Sequence, residues 1–434
     1  MACLPETGEE ERETPERTEP PRSFGEGFVT GILAALVCVI ALTAGGRIAD
    51  WLVRGKNREQ VPGAEVLTDG QTLDKLKEIQ ELIQSCYLED VDSDMLSAYL
   101  FKGVAAGLDD DYARYYTEEE FKSVQESNQG AYHGIGVTLS QDMATGELSV
   151  LEVYEGSPAD EAGMRAEDIL RAVAGTPVEG IELSDVVSLI KENEDEFELV
   201  VYRPSEEQEV TLKLACGPVE KNTVESEMKE PGIGYIRIVE FDTITVDQFE
   251  AAVDDLIGQG AESLVIDLRD NPGGLLDSVC DILNYILPDG LLVYTEDRNG
   301  NREEFCSDDK HSVDCELAVL VNGNSASASE IFAGAVQDRG AGTIIGTQTY
   351  GKGVVQKTYL LSDGSAMKFT VEKYFTPNGT DINGEGITPD IIAGENQEVS
   401  GQEESSEMQD EPLEKALEVL REHGTENHIQ GEAD

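Results

Sequence analysis

The period of the hydrophobic pattern changes along the chain, and each change predicts a different kind of element. From Thr72 apolar residues recur every three or four positions, which predicts an amphipathic helix, and a second helix is predicted over 92–108. Between 131 and 214 short alternating apolar stretches are separated by turns rich in Gly, Pro and Asp. That pattern is typical of a small β-rich domain with two brief helices. After Pro218 apolar strands alternate with helical segments, which indicates an α/β core.

The predicted core consists of apolar strands with helical segments between them. The strands are GYIRIVEF (234–241), SLVIDLR (263–269), LAVLVN (317–322) and GTIIG (342–346), and the helices span 246–257, 275–287 and 327–336. Beyond 395 the chain becomes acidic, with one more predicted helix over 412–422.

An uncharged stretch near the beginning predicts a membrane anchor. Residues 28–44 (FVTGILAALVCVIALTA) carry no charge, and a helix of this length spans ~26 Å, close to the hydrocarbon thickness of a bilayer. We assign 28–46 to the anchor, 1–27 to a disordered acidic tail and 47–71 to a linker. A cleaved signal peptide and a buried core helix are the alternatives. Basic residues flank both ends, so the charge count does not decide the orientation.

Charge and cysteine usage exclude some classes of partner. The chain has 31 Lys and Arg against 89 Asp and Glu, a net charge of -58, which repels nucleic acid in the absence of a basic patch. Seven cysteines show no CxxC pair and no Cys/His spacing typical of zinc, so no metal site is predicted. Cys306 and Cys315 flank a polar loop, where a disulfide and two thiols are the alternatives.

Glycines open the predicted β-rich domain. In YHGIGV (132–137) the N–H groups of Gly134, Ile135 and Gly136 can converge on a carboxylate without a Cβ in the way. The following motifs stand in an order that resembles a PDZ domain: GSPA (156–159), AGM (162–164), DIL (168–170) and a helix over 184–191. The resemblance implies that a peptide C-terminus adds as a strand beside these amides. A module that packs only as a spacer is the alternative.

Small residues crowd the turn after the predicted strand 317–321, in NGNSASASE (322–330). A strand-to-helix turn of this kind exposes a hydroxyl and offers helix N-terminal amides to a developing oxyanion. Ser327 and Glu330 also fit a helix capping box, which is the alternative interpretation.

A lysine between two glycines indicates the base that such a serine needs. Lys352 lies in YGKGVVQ (350–356), and in a strand it would share one face with Gln356. The four histidines (133, 311, 423 and 428) lie in a turn, a polar loop and the acidic tail, which disfavours a Ser-His-Asp triad. A lysine acts as a base only when it is neutral, so burial must lower its pKa from ~10.4.

A third motif, DLRDNPGG (267–274), is a buried strand that ends in a glycine turn. Its amides can complete an oxyanion hole. A plain strand-to-helix loop and a phosphate cradle are the alternatives, although neither GxGxxG nor GxxxxGK[ST] is present.

Together with GEGITPD (384–390) and PLEKALEVL (412–420), these motifs resemble the C-terminal processing (tail-specific) peptidases, S41-type serine peptidases with a PDZ domain. The resemblance runs from about Thr72 to Arg421. It implies that Ser327 is the nucleophile, Lys352 the general base and Gln356 an orienter. The implied oxyanion donors are the N–H of Ala328 and that of Gly273 or Gly274.

The same resemblance implies a multidomain α+β and α/β chain. After the membrane helix come a helical region (72–130), a PDZ domain (131–214), an α/β core of the ClpP/crotonase type (215–395) and an acidic tail with one helix (396–434). It also implies a single-pass protein of the cell membrane with its catalytic part outside the cytoplasm, substrates bound by their C-termini, and no cofactor. A homo-oligomer is allowed.

One run departs from the resemblance. DDDYA (109–113) stands where Leu-Asp-Pro-Tyr-Ser is usual, and we interpret it as a solvated acidic loop at a helix end, away from the chemistry. A non-catalytic PDZ scaffold is the main alternative function. A cytoplasmic hydrolase whose apolar segment is a core helix is the second.

Overall fold

The computed structural model describes residues 63–431, except 143–144, 194, 309, 311–312, 314 and 395–409, and describes side chains as far as 422. The predicted anchor 28–46 and tail 1–27 lie outside the described residues, as does most of the linker. Among the helices in the described ranges, none combines the length and the apolar character that a membrane crossing needs. The chain divides into two compact units, Met1–Val91 and Asp92–Asp434.

In the first unit the described residues form a 3₁₀ helix, Ala64–Thr68, and helix α1, Gly70–Cys86. Asp69 caps α1, because its Oδ1 accepts a hydrogen bond from the Thr72 N–H at 2.6 Å. This confirms the helix predicted from Thr72. Its apolar stripe is exposed, at Leu73, Leu76, Ile79 and Leu82.

The second unit contains helices and strands throughout its described length. Its helices are α2 Ser93–Ala106, α3 Glu118–Gln129, α4 Pro158–Glu161, α5 Leu183–Lys191, α6 Thr243–Gly258, α7 Leu276–Ile286, α8 Ala328–Arg339 and α9 Glu411–Gly431. Its first strands are β1 Arg114–Tyr116, β2 Ala131–Gly134, β3 Val137–Gln141, β4 Leu148–Val153, β5 Ile169–Val173, β6 Thr176–Pro177, β7 Phe197–Arg203, β8 Gln208–Leu214 and β9 Gly217–Glu220. The later strands are β10 Val224–Glu230, β11 Ile233–Ile238, β12 Ser263–Asp267, β13 Gly290–Asp297, β14 Arg302–Ser307, β15 Glu316–Val321, β16 Gly342–Gly346, β17 Val354–Leu360, β18 Ala366–Phe375 and β19 Ile391–Ile392.

A β-rich domain of the predicted kind is present, as one sheet in the order β3-β4-β5-β7-β8 with β6 paired to β5. Side chains alternate between buried and accessible, as in β7, where Leu199 and Val201 point inward. Helix α5 packs Val186 and Ile190 against this core. Strand β3 is left at the edge of the sheet, in contact with α5.

The α/β core is a six-stranded sheet in the order β10-β11-β12-β15-β16-β19, and its strands from β11 onward run parallel. This confirms the predicted strands, which are mostly apolar because both faces of the sheet are covered. Helices α6, α7 and α8 pack on one face through Phe249, Leu283 and Phe332. Helix α9 packs on the other face through Leu417 and Leu420.

A second sheet, in the order β1-β18-β13-β14 with β17 on β18, was not predicted. Its strands β17 and β18 are half-buried and carry Lys, Glu and Thr, so they lack the apolar alternation that identifies a strand.

Strands β12, β15 and β16 of the six-stranded core sheet end at the same edge of that sheet. Parallel strands therefore bring the turns 268–274, 322–327 and 347–353 together, as at the switch points of open α/β sheets.

Candidate active site

The turn between β15 and α8 places Ser327 in a rare backbone conformation, with φ 55° and ψ −112°. Positive φ is uncommon for a non-glycine residue and is typical of a nucleophile at a strand-to-helix turn. The two neighbouring serines are fully buried. Ser325 Oγ donates to the Leu268 carbonyl at 2.8 Å, and Ser329 Oγ donates to the Asn271 carbonyl at 3.0 Å. Of the three serines, only Ser327 is accessible to a substrate.

The fully buried carboxylate of Glu330 joins this turn to the segment that carries the lysine. Its Oε1 accepts hydrogen bonds from Thr349 Oγ1 at 2.6 Å and from the Gly351 N–H at 2.7 Å. Its Oε2 accepts from the Ser327 N–H at 2.9 Å and from the Lys352 N–H at 2.8 Å. The bond to Ser327 belongs to the predicted capping box, but sequence analysis missed the bonds to the lysine segment.

Tyr374 on β18 makes a second connection between the same two residues. Its hydroxyl proton is shared between the Ser327 carbonyl, at 3.0 Å, and the Lys352 carbonyl. The side chain is buried, and burial raises the pKa of Tyr374 well above its ordinary value, so the hydroxyl keeps its proton. The backbones of Ser327 and Lys352 are therefore fixed relative to each other by two buried side chains.

Lys352 is half-buried, and its amine has an aromatic neighbour. The Nζ atom lies 4.6 Å from the centroid of the Tyr112 ring. Among the described residues no ion pair involves this amine and no hydrogen bond joins it to Ser327 Oγ. Burial lowers the pKa of Lys352, the positive charge of Lys368 lowers it further, and Glu330 acts in the opposite direction. The net lowering is the direction that a base requires.

Gln356 does not share a strand face with Lys352, so that prediction is wrong. Lys352 precedes β17, which begins at Val354, and the pairing shifts between Val355 and Gln356. A bulge of this kind breaks the alternation of a strand. The Gln356 amide donates to the Val354 carbonyl at 3.2 Å and lies 3.4 Å from Thr370 Oγ1.

The loop 109–113 contacts the site, so the interpretation of this run as lying away from the chemistry is wrong. The half-buried Asp110 carboxylate accepts from the Thr370 N–H at 2.8 Å and Thr370 Oγ1 at 3.1 Å, and from the Tyr112 N–H at 3.0 Å. Pairing of β1 with β18 brings the loop there. Sequence analysis missed Asp110 and Tyr112 because their partners, Thr370 and Lys352, lie more than two hundred residues away along the chain.

The two candidate glycines of the oxyanion hole differ in their surroundings. A Cβ on Gly273 would lie 2.8 Å from Ser327 Cβ and 3.0 Å from the Ala328 nitrogen, so only glycine fits there. The Gly273 N–H already donates to Asn271 Oδ1 at 2.8 Å. No acceptor among the described residues takes the N–H of Gly274 or that of Ala328. Both N–H groups therefore have no acceptor in this part of the chain, and of the two residues Gly274 is exposed and Ala328 is buried.

The glycine loop of the β-rich domain is fixed through its carbonyl groups. The Ile135 carbonyl accepts from the Ala159 N–H at 2.8 Å, and the Gly136 carbonyl accepts from the Tyr154 N–H at 3.0 Å. Gly136 has φ 82° and, like Gly134, is buried. Within the described part of the chain no acceptor takes the N–H groups of Ile135 and Gly136. They lie just before the edge strand β3, where an added strand would end.

The polar loop with two cysteines shows no disulfide. Cys306 is exposed near the end of β14, Cys315 is half-buried just before β15, and both carry thiols. The alternative with two thiols therefore describes this structure.

Comparisons with known proteins find matches for two parts of the chain. Residues 232–393 match the model of peptidase family S41, and residues 149–203 match a PDZ domain. The chain is 34% identical over 292 residues to a carboxyl-terminal-processing protease of Synechocystis sp., across 66% of this chain and 68% of that protein. It is 37% identical over 330 residues to a probable CtpA-like serine protease of Staphylococcus aureus (strain COL). That match covers 75% of this chain but only 65% of the relative's length.

Among solved structures, the chain is similar to a photosystem II D1 C-terminal processing protease. The two are 31% identical with a TM-score of 0.43, and the match covers 76% of this chain and 88% of the other.

We expect Glu330→Gln to impair both stability and cleavage of a test peptide. An amide nitrogen would replace one carboxylate oxygen and face two donors, leaving buried groups unpaired at a cost of about 2–4 kcal/mol. Urea unfolding measures the first effect and peptide cleavage the second. Glu262→Gln, on an exposed carboxylate, is the matched control and should change stability by less than ~0.5 kcal/mol. Equal behaviour of the two variants would contradict this role of Glu330.

Proposed function

We propose that this chain is a serine endopeptidase which captures protein C-termini and cleaves the captured chain. The proposal starts from its family, because the chain belongs to the carboxyl-terminal-processing proteases of peptidase family S41. Ser327 is the nucleophile in this proposal and Lys352 its general base. The observation that carries it is the double connection between their backbones by Glu330 and Tyr374. Capping of helix α8 requires the bond from Glu330 to the Ser327 N–H, but it does not require the bond from Glu330 to the Lys352 N–H.

The reaction follows from the chemistry of these groups. The neutral Lys352 amine accepts the Ser327 hydroxyl proton while Oγ attacks the scissile carbonyl. The oxyanion that forms accepts hydrogen bonds from the N–H groups of Ala328 and Gly274, which have no other acceptor among the described residues. The Lys352 ammonium then gives its proton to the leaving amine. Water, activated by the same amine, hydrolyses the acyl-enzyme.

Gln356 remains an orienter in the proposal, but it acts on the lysine segment rather than on the amine. Its side chain contacts the Val354 carbonyl and Thr370. The first contact holds the start of β17, two residues after Lys352, and the second joins β17 to β18. Gln356 is therefore a positioning residue.

In this proposal the PDZ domain captures the substrate. The free amides of Ile135 and Gly136 can bind a terminal carboxylate, and the chain ahead of that carboxylate can pair with β3, the edge strand. Gly134 is buried beside them, and a Cβ at this position would lie 2.8 Å from Cε2 of the Tyr132 ring. Protein C-termini in general are the substrate class.

The non-catalytic scaffold is the competing function. It would keep the PDZ domain and its edge strand, but it has no requirement for an accessible Ser327 at positive φ or for a lysine with a lowered pKa. These two features favour the peptidase.

We expect Lys352→Arg to lose peptide cleavage as completely as Lys352→Ala, because a guanidinium stays protonated and cannot act as a base. Ser327→Ala should also be inactive, whereas Ser325→Ala and Ser329→Ala should retain cleavage. The wild-type rate should rise with pH, since the neutral base forms as pH passes its pKa, and the midpoint should lie below ~10.4. The measurement is kcat/KM against pH. Near-normal turnover by Lys352→Arg would reject the dyad and favour another base.

Amidation of a substrate's C-terminus should weaken its capture several-fold or more, because a charge-assisted hydrogen bond to the carboxylate contributes about 1.5–3 kcal/mol. Fluorescence anisotropy with inactive Ser327→Ala protein measures the affinities of the acid and the amide. Gly136→Ala should also weaken acid binding, since a Cβ would lie 2.1 Å from Ser157 Cβ. Gly258→Ala, where nothing lies within 4 Å, is the matched control. Equal affinities for acid and amide would contradict the capture role.

We expect the full chain to sediment with membranes and to resist carbonate extraction, because the uncharged residues 28–46 act as a single-pass anchor. Added protease should digest the PDZ and peptidase domains on intact cells, since these domains lie outside the cytoplasm. A chain lacking residues 1–46 is the control and should be released. Recovery of the full chain in the soluble fraction would favour the cytoplasmic alternative.

A further inference from the structure

The side chain that faces the Lys352 amine is Tyr112. The Nζ atom lies 4.6 Å from the centre of its ring, within the ~6 Å range of a cation–π contact. No carboxylate of the described residues forms an ion pair with this amine. In this structure the amine is therefore held by an aromatic face and not by Ser327 Oγ.

Tyr112 is held in place by its neighbours along the loop. The Asp110 carboxylate binds both the Tyr112 N–H and the backbone and side chain of Thr370 on β18. Arg114, two residues after Tyr112, is the first residue of β1 and pairs with Lys368 of β18. These contacts hold the backbone on both sides of Tyr112, and they do so without any contribution from Lys352.

A cation–π contact distinguishes the two protonation states of the lysine. The ring face attracts the ammonium through its quadrupole, but a neutral amine has no charge to attract. Loss of the proton therefore weakens the hold of the ring at the moment when the amine becomes able to accept a proton from serine. The same step frees the side chain to rotate.

We propose that Tyr112 is a positioning residue for the base: its ring retains the protonated Lys352 amine at its face and releases the neutral amine to Ser327 Oγ. This rests on the proposed function, in which Lys352 is the base. It goes beyond that function because it assigns a role to a residue of the turn before β1, outside the three motifs that contain Ser327, Lys352 and the glycine turn.

Other charged and titratable groups surround the amine and must be kept constant in a test. Lys368 on β18 and Glu330 on α8 act on Lys352 directly, and Arg114 on β1 acts on Lys368. The groups that act on Tyr112 itself are Tyr350, Asp111, Asp110 and Glu330. None of these is altered by a substitution at Tyr112.

The substitution Tyr112→Leu tests the proposal, because it keeps an apolar side chain over the lysine but removes the ring. The ammonium loses its attraction, so the pKa of Lys352 falls. The midpoint of kcat/KM against pH should move to lower pH by about half a unit or more. Tyr112→Phe keeps the ring face and should restore the wild-type midpoint. Tyr115→Leu is the matched control in the same segment, since the Tyr115 ring contacts Phe101 and not the lysine.

A second measurement does not depend on catalysis. In the Ser327→Ala background, trace acetylation of Lys352 by acetic anhydride, quantified by mass spectrometry across pH, reports the neutral fraction of the amine. The labelling midpoint should shift down with Tyr112→Leu and stay in place with Tyr112→Phe. Should Tyr112→Leu fail to fold, trifluorophenylalanine at position 112 keeps the shape, weakens the quadrupole and should also lower the midpoint.

The outcomes separate the two proposals. A lower limiting kcat with an unmoved midpoint would mean that Tyr112 only supports the fold, and would overturn the positioning role. Equal midpoint shifts for Tyr112→Leu and Tyr115→Leu would overturn it as well. If Lys352→Arg keeps turnover, the proposed function fails, while the labelling midpoint still decides whether the Tyr112 ring retains the ammonium.

Discussion

The site depends on one buried carboxylate. Glu330 has no exposed surface and no ion-pair partner among the described residues, and such a group is costly unless its oxygens are hydrogen-bonded. Four donors satisfy it, and they come from two turns that meet only in the folded chain. Breaking the contact between those turns would leave the carboxylate unpaired. The cost of burying Glu330 therefore keeps Ser327 and Lys352 on facing segments.

The parallel sheet makes this contact between turns available. The strands that carry the glycine turn, the serine turn and the lysine segment are adjacent in it, so their carboxyl ends share an edge. Helix α9 covers the face of this sheet that lies opposite α6, α7 and α8. Arg269 connects α9 to the edge of the sheet where the three turns meet. That guanidinium binds Asp267 at the end of β12 and Asp410 just before α9, at 2.7–3.0 Å. Packing of the last helix is thus linked to the glycine turn.

Sequence patterns identified the elements whose residues are uniformly apolar or cap a helix. The core strands, their helices and the turn at Ser327 were predictable for that reason. The second sheet was not, because its half-buried polar strands carry no periodic signal. The prediction that Lys352 and Gln356 share one face of a strand was wrong, because it requires a regular strand that contains both residues. Strand β17 starts after Lys352, and it contains a bulge before Gln356. Tyr112 and Tyr374 were missed because contacts between distant segments leave no local pattern.

The strongly acidic composition poses a problem for a lysine base. An ion pair with any of the 89 acidic residues would favour the ammonium and raise the pKa of Lys352. Among the described residues, the amine instead has an aromatic ring and a second cation, Lys368, as neighbours, while the buried Glu330 carboxylate uses its oxygens on four other donors. An aromatic ring holds an ammonium more weakly than a carboxylate does. It therefore keeps the amine beside the ring and still allows the proton to leave.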